Sequence, residues 1–175
     1  NSNIIICSES EKARDLLKNH INEFTFCKRS KFLALENSGI EESIINILDN
    51  FREIKFETIT VVSIAYPLIS EYSIRASMES LHLFDADTCI SVTQSQSNIY
   101  KAGVGCIEPI LQNKSIREER NFIYEEKGGI HSFRYDSFKK NSSIYGERNT
   151  YVIIDEIESI RNDSVLLKFT QNYSS

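Results

Sequence analysis

The run at 58–65, Thr-Ile-Thr-Val-Val-Ser-Ile-Ala, constrains this chain more than any other stretch. Its β-branched residues crowd a helix but pack well on a pleated surface, so it reads as a central strand that Pro67 ends. A helix is expected next over 70–84, with Ile74, Met78, Leu81 and Phe84 along one stripe. A further strand, Asp-Thr-Cys-Ile-Ser-Val-Thr, covers 87–93. The same rhythm opens the chain. An apolar run at 3–7 precedes Ser8-Glu9-Ser10-Glu11, which reads as a helix N-cap with acidic first-turn residues. The helix at 11–20 is expected to bury Ala13, Leu16 and Leu17. A short strand at 23–27 follows, and an amphipathic helix at 39–51 carries Ile40, Ile44, Ile45, Ile47, Leu48 and Phe51. Strands joined through helices need crossovers, and these are right-handed. The expectation is an α/β fold, a mostly parallel sheet flanked by helices.

Beyond residue 93 the rhythm breaks. The polar segment 94–121 contains Gly103-Val104-Gly105 and reads as an extended arm or irregular insertion. Strands are expected at 130–135 and 151–154, a short helix near 136–140, and a last helix at 164–169. The 175 residues suit one domain with a real core. A formal charge of −5 with scattered Lys and Arg excludes a duplex nucleic-acid binder, which needs clustered cations. No apolar run is long enough to span a bilayer, and the start lacks the basic region of a signal peptide, so the expectation is a cytoplasmic protein with no membrane partner. Cys7, Cys27, Cys89 and Cys106 lie far apart without a C-x-x-C pair, which suggests neither a zinc site nor a disulfide framework; Cys7 and Cys89 read as apolar fillers of strands.

Three pieces remain that periodicity does not explain: Lys127-Gly128-Gly129-Ile130-His131-Ser132-Phe133, then Tyr145-Gly146, then Glu158-Ser159-Ile160-Arg161-Asn162-Asp163. In order and spacing they resemble the C-terminal half of the CMP-sialic acid synthetases, the acylneuraminate cytidylyltransferases, where the pieces read loosely as Asn-Gly-Ala-Ile-Tyr, Tyr-Gly and Ser-Ile-Asp-Ile-Asp. Ile4 to Ser10 resembles that family's Val-Ile-Val-Ser-Thr-Asp-Ser, and Asp85 to Thr93 its Ala-Asp-Ser-Val-Val-Ser-Val strand. Lys101 stands where the family has a lysine facing the acidic sugar, and Arg117 where it has an arginine before the Asn-Gly strand.

The resemblance implies a nucleotide-diphospho-sugar-transferase-like fold and transfer of CMP from CTP to a sialic-acid-like acidic sugar. It also implies Mg²⁺ as cofactor and a homodimer held by an arm at 98–121. Lys101, Arg117 and Arg161 would bind substrate, and Asp163 would help hold the metal. The departures are concrete. Ser63 replaces a glutamine expected to contact the sugar, Lys127 takes the Asn position, and His131 replaces the tyrosine. Arg161 sits where the first Asp of the metal pair belongs, and a guanidinium is no ligand for a hard cation; it suits a phosphate or carboxylate instead. The chain opens in what reads as the family's second strand, without its Gly-rich basic loop. Either the sequence is part of a longer protein, or CTP is not bound in the family's manner. The alternative function is therefore a catalytically degraded homologue, a sugar- or nucleotide-binding or partner subunit. Each site residue also has a plain structural reading: Lys101 and Arg117 as solvated charges, His131 as a packed histidine, Asp163 as the N-cap of the last helix.

Overall fold

The structure, a computed structural model, describes residues 3–29, 39–51, 55–95, 99–110 and 123–162. The chain divides into two compact units, Asn1–Phe56 and Glu57–Ser175. The first holds β1 (Ile5–Ser8), α1 (Glu11–Leu17), β2 (Thr25–Lys28) and α2 (Ile40–Asn50). β1 and β2 pair in parallel, Ile5 opposite Thr25 and Ser8 opposite Lys28, as a strand–helix–strand crossover requires. Helix α1 stops three residues short of the expected end and has fewer than two turns. So short a helix presents one narrow face. Ala13 and Leu17, four apart, are half-buried on it, while Leu16 is exposed, against expectation. In α2 the buried residue is Ile44, and Ile45 is exposed.

The second unit holds β3 (Thr58–Val62), α3 (Glu71–Leu83), β4 (Thr88–Ser95), β5 (Tyr100–Ala102), β6 (Ile107–Pro109), β7 (Ile123–Arg134), α4 (Tyr135–Asn141) and β8 (Asn149–Ile153). Four of these strands make a sheet in the order β3-β7-β4-β8. β3, β4 and β8 run in one direction, and β7 is inserted against them between β3 and β4. This is the anticipated α/β sheet with one reversed strand. β7 begins at Ile123, well before the expected 130, because residues 123–126 continue its pairing along Ser95 to Val92. Within the expected arm, β5 and β6 form an antiparallel hairpin. The expected last helix at 164–169 lies outside the described residues. No helix among the described residues is long and apolar enough to cross a membrane.

Helix α3 packs on one face of the sheet around Leu81, Ala86, Cys89, Ile130, Val152 and Ile154. Of the apolar stripe read from the sequence, Leu81 is buried and Ile74 packs against the core, but Phe84 is exposed, and the rest of the buried seam is Ser73 and Ser77. Small residues at four-residue spacing let the helix approach closely, and their hydroxyls are all bonded. Ser77 Oγ shares a hydrogen bond with Ser132 Oγ at 2.8 Å, which meets Thr60 Oγ1 at 2.9 Å. A chain of hydroxyls thus crosses from α3 through β7 to β3, as burial of polar groups demands. Phe133 lies on the other face of the sheet, against Phe138 of α4.

At the amino ends of β4 and β8, two of the sequence pieces meet. Asp87 Oδ2 accepts from the Glu147 and Arg148 amides, both at 3.0 Å. A Cβ on Gly146 would stand 2.2 Å from the Asp87 Cβ, so only glycine fits this approach. Tyr145-Gly146 and Asp85-Ala86-Asp87 are therefore a structural clasp.

Candidate functional site

Ligands of open α/β sheets bind beyond the carboxyl ends of the strands. At the end of β3 the structure joins three segments there. The Ser63 amide donates to the Gly129 carbonyl at 3.0 Å, tying the loop after β3 to β7. The Asn162 amide donates to the Ala65 carbonyl at 2.6 Å, bringing the segment after β8 to the same loop. Tyr66 completes the contact, with its hydroxyl 3.9 Å from where a Cβ on Gly128 would lie.

The glycines of the first sequence piece now have a physical reason. Between the pairs Ile90–His131 and Val92–Glu126, one residue of β4, Ser91, faces four of β7, Lys127 to Ile130. The excess bulges out of the ladder, as bulges beside binding sites commonly do. Gly128 takes φ +69, and a Cβ on Gly129 would crowd Ile69 Cδ1 at 2.9 Å. Ser91 Oγ accepts the Ile130 amide at 2.9 Å where the ladder is interrupted. Lys127 stands at the head of the bulge, its ammonium 2.7 Å from Glu125.

A polar cluster flanks the bulge. His131 Nε2 is 2.8 Å from Glu126 Oε1, and the Tyr145 hydroxyl donates to that same oxygen at 2.8 Å. His131 is buried, and Tyr145 meets its ring edge-on at a 6.3 Å centroid separation. Glu126 and His131 are the last paired residues on either side of the bulge, so their contact closes its neck. The sequence reading marked Tyr145 through the Tyr145-Gly146 piece, without giving it a role, and missed Glu126. On the same face, Tyr124 and Tyr151 stack at 4.5 Å with their hydroxyls 3.2 Å apart.

Glu158, also unassigned from sequence, organises the returning segment. Its carboxylate accepts from the Ser70 amide at 2.7 Å, the Ser73 hydroxyl at 2.9 Å and the Asp155 amide at 3.2 Å. Burial alone pushes this carboxyl up, but the hydrogen bonds from Ser70, Ser73 and Asp155 together outweigh it and hold the group below its ordinary range. An anion at the N-terminus of α3 also complements the helix dipole.

Of the expected substrate residues, Arg161 is exposed and next to Asn162, hence beside the β3 loop. Lys101 sits on the β5–β6 hairpin, exposed, 3.0 Å from Glu108 across the ladder. Arg117 and Asp163 lie outside the described residues. The described residues beside Asp163 do not fit Mg²⁺. Arg161 is a cation, the Glu158 carboxylate is engaged by three donor residues, and no group of three metal-ligating side chains occurs among the described residues.

No family model matches the sequence, and no curated protein matches it. Solved structures do. A 4-diphosphocytidyl-2C-methyl-D-erythritol synthase from Anaerococcus prevotii is 12% identical, with a TM-score of 0.64 over 98% of this chain and 78% of that one. A second 4-diphosphocytidyl-2C-methyl-D-erythritol synthase is 9% identical, at 0.65 over 99% and 81%. A CMP:2-keto-3-deoxy-manno-octonic acid synthetase, solved in complex with CTP, is 7% identical, at 0.62 over 99% and 80%. At such identities the likeness shows the fold, which is nucleotide-diphospho-sugar-transferase-like as anticipated.

Proposed function

We propose that this protein is a nucleotidyltransferase-like protein that transfers CMP from CTP to a sialic-acid-like acidic sugar. The observation that carries the reading is the junction beyond β3. There the glycine bulge of β7 and the Arg161 segment are both hydrogen-bonded to one loop, in a fold shared along 99% of the chain with a synthetase solved with CTP. In this reading the two compact units together make a single cytidylyltransferase-like domain, and the protein works in the cytoplasm.

The reaction is displacement at the α-phosphorus. A sugar hydroxyl oxygen bonds to phosphorus, the bond to the bridging oxygen breaks, and pyrophosphate leaves as the hydroxyl proton passes to solvent. Such chemistry depends on positioning and charge stabilisation. Arg161 supplies a planar fork for phosphate or carboxylate oxygens, with Lys101 and Arg117 as the further cations. In this reading Asp163 would be the ligand offered to Mg²⁺. The arm at 98–121 makes a homodimer.

A second reading is a catalytically degraded homologue that binds sugar or nucleotide, or serves as a partner subunit. Arg161 at an expected metal position favours it. One experiment separates the two: the chain is incubated with CTP, Mg²⁺ and N-acetylneuraminate, and pyrophosphate is followed while CTP binding is measured by calorimetry. Pyrophosphate above a blank supports the enzyme. CTP binding without release of pyrophosphate supports the degraded homologue, and absence of both overturns the nucleotide reading.

A further inference from the structure

The four cysteines are distant in sequence, yet the parallel pairing of β1 and β2 sets Cys7 directly opposite Cys27. Side chains of directly paired residues on neighbouring strands project to the same face of the sheet. Adjacent strands lie about 4.8 Å apart, inside the Cα separation that disulfides span. The surroundings are polar in a way that a pair of apolar fillers does not need. Asn50 Nδ2 of α2 reaches Cys27 Sγ at 3.9 Å. Arg29, just beyond β2, acts on Cys7, and its Nε is buried with no hydrogen-bond partner among the described residues. A buried unpaired guanidinium nitrogen is costly, and a neighbouring thiolate is the charge that would offset it. Burial, and then Cys27 itself, hold the Cys7 thiol above its ordinary range, while Arg29 draws it down. The other cysteines lack this setting. Cys89 is fully buried within β4, with its thiol pushed up to about 12 by burial, and Cys106 is exposed on the hairpin.

We infer that Cys7 and Cys27 form a redox-responsive dithiol that closes to a reversible disulfide on meeting a low-molecular-weight disulfide such as oxidised glutathione. Cys7 is the more accessible of the two, so its thiolate attacks one sulfur of the oxidant and expels the other half as a thiolate. Cys27, deprotonated, then attacks the Cys7 sulfur of the mixed disulfide and expels the second thiol. The protein loses two electrons and two protons, and the oxidant is reduced to two thiols. Cys7 is half-buried rather than sealed in the core, so a small thiol can reach the bond and reopen it. That places it with responsive disulfides rather than structural ones.

The test uses the full reduced chain in glutathione buffers of increasing oxidised fraction. Acid quenching, alkylation and peptide mass mapping follow. The expected product is a Cys7–Cys27 linked peptide pair, reversed by dithiothreitol, while Cys89 stays alkylatable after unfolding. In Cys27→Ser the mixed disulfide should accumulate on Cys7. Arg29→Gln should slow closure by on the order of tenfold near neutral pH. If Cys7 and Cys27 are recovered alkylated in every buffer while Cys106 carries glutathione, the proposal fails. The wild-type map alone decides this, so a variant that does not fold leaves the outcome intact. The readout involves no nucleotide and stands apart from the cytidylyltransferase reading.

Discussion

Gly146 is held to glycine by one approach, since any Cβ there would meet the Asp87 Cβ at 2.2 Å. That atom is next to the backbone and cannot swing away. Gly146→Ala should therefore cost about 1–3 kcal/mol in urea unfolding, with m unchanged. Glu158 makes a prediction in pH. Its folded-state carboxyl lies below the ordinary range, so its contribution is complete above the unfolded value. It is lost as pH falls through the folded one. Thermal melts of wild type and Glu158→Gln should differ most near neutral pH and converge on acidification below about pH 4. A constant gap would remove Glu158 from the cause. Arg161 bears on the metal question, and Arg161→Asp should strengthen Mg²⁺ binding in calorimetry by placing a hard oxygen beside Asp163. An unchanged or weaker signal would mean that Arg161 does not stand at a metal position. Arg161 was legible because it broke a pattern, whereas Glu158 was not, because a glutamate in a loop gives no sign of the helix end it caps.

The bulge of β7 is the element on which the candidate site rests. Its neck is closed by the bonds of His131 and Tyr145 to a single Glu126 oxygen. Each such bond contributes about 1 kcal/mol, so His131→Ala should raise amide exchange across Lys127 to Ile130 by roughly five- to tenfold, and Tyr145→Phe by somewhat less. Equal protection in both variants would show that the bulge is held by its pairing to β3 alone. The sequence marked this element by Gly128-Gly129 but gave β7 the wrong start. Alternating hydrophobicity fails along Tyr124-Glu125-Glu126-Lys127, where polar residues occupy successive, mostly exposed positions. Helix α3 was expected where it forms, with Leu81 buried, but its seam was only partly legible. Hydrophobicity pointed to Phe84, yet serines at 73 and 77 are buried because partners on β7, on α3 itself and at Glu158 satisfy their hydroxyls.

On the scale of the whole molecule, the homodimer proposed above bears on the exposed hairpin. Two three-residue strands are not stable alone, and Ile99, Tyr100, Val104, Ile107 and Ile110 are all exposed. A second copy is the proposed cover. Val104→Asp with Ile107→Asp should turn a dimer into a monomer in light scattering while the circular dichroism is retained. A wild-type monomer at tens of micromolar would overturn the dimer.

By itself the sequence determined the alternation of strands and helices, because β-branched runs, helical periods and N-caps are local and each is decided within a few residues. It also singled out Gly128-Gly129 and Arg161, which are marked by residue type. Only the tertiary structure decided which segments meet. β7 enters between β3 and β4, the Asn162 amide reaches Ala65, Glu158 seats α3, and Cys7 faces Cys27. Each of these joins residues that no local period relates, and each is set by register and by where buried polar groups find partners.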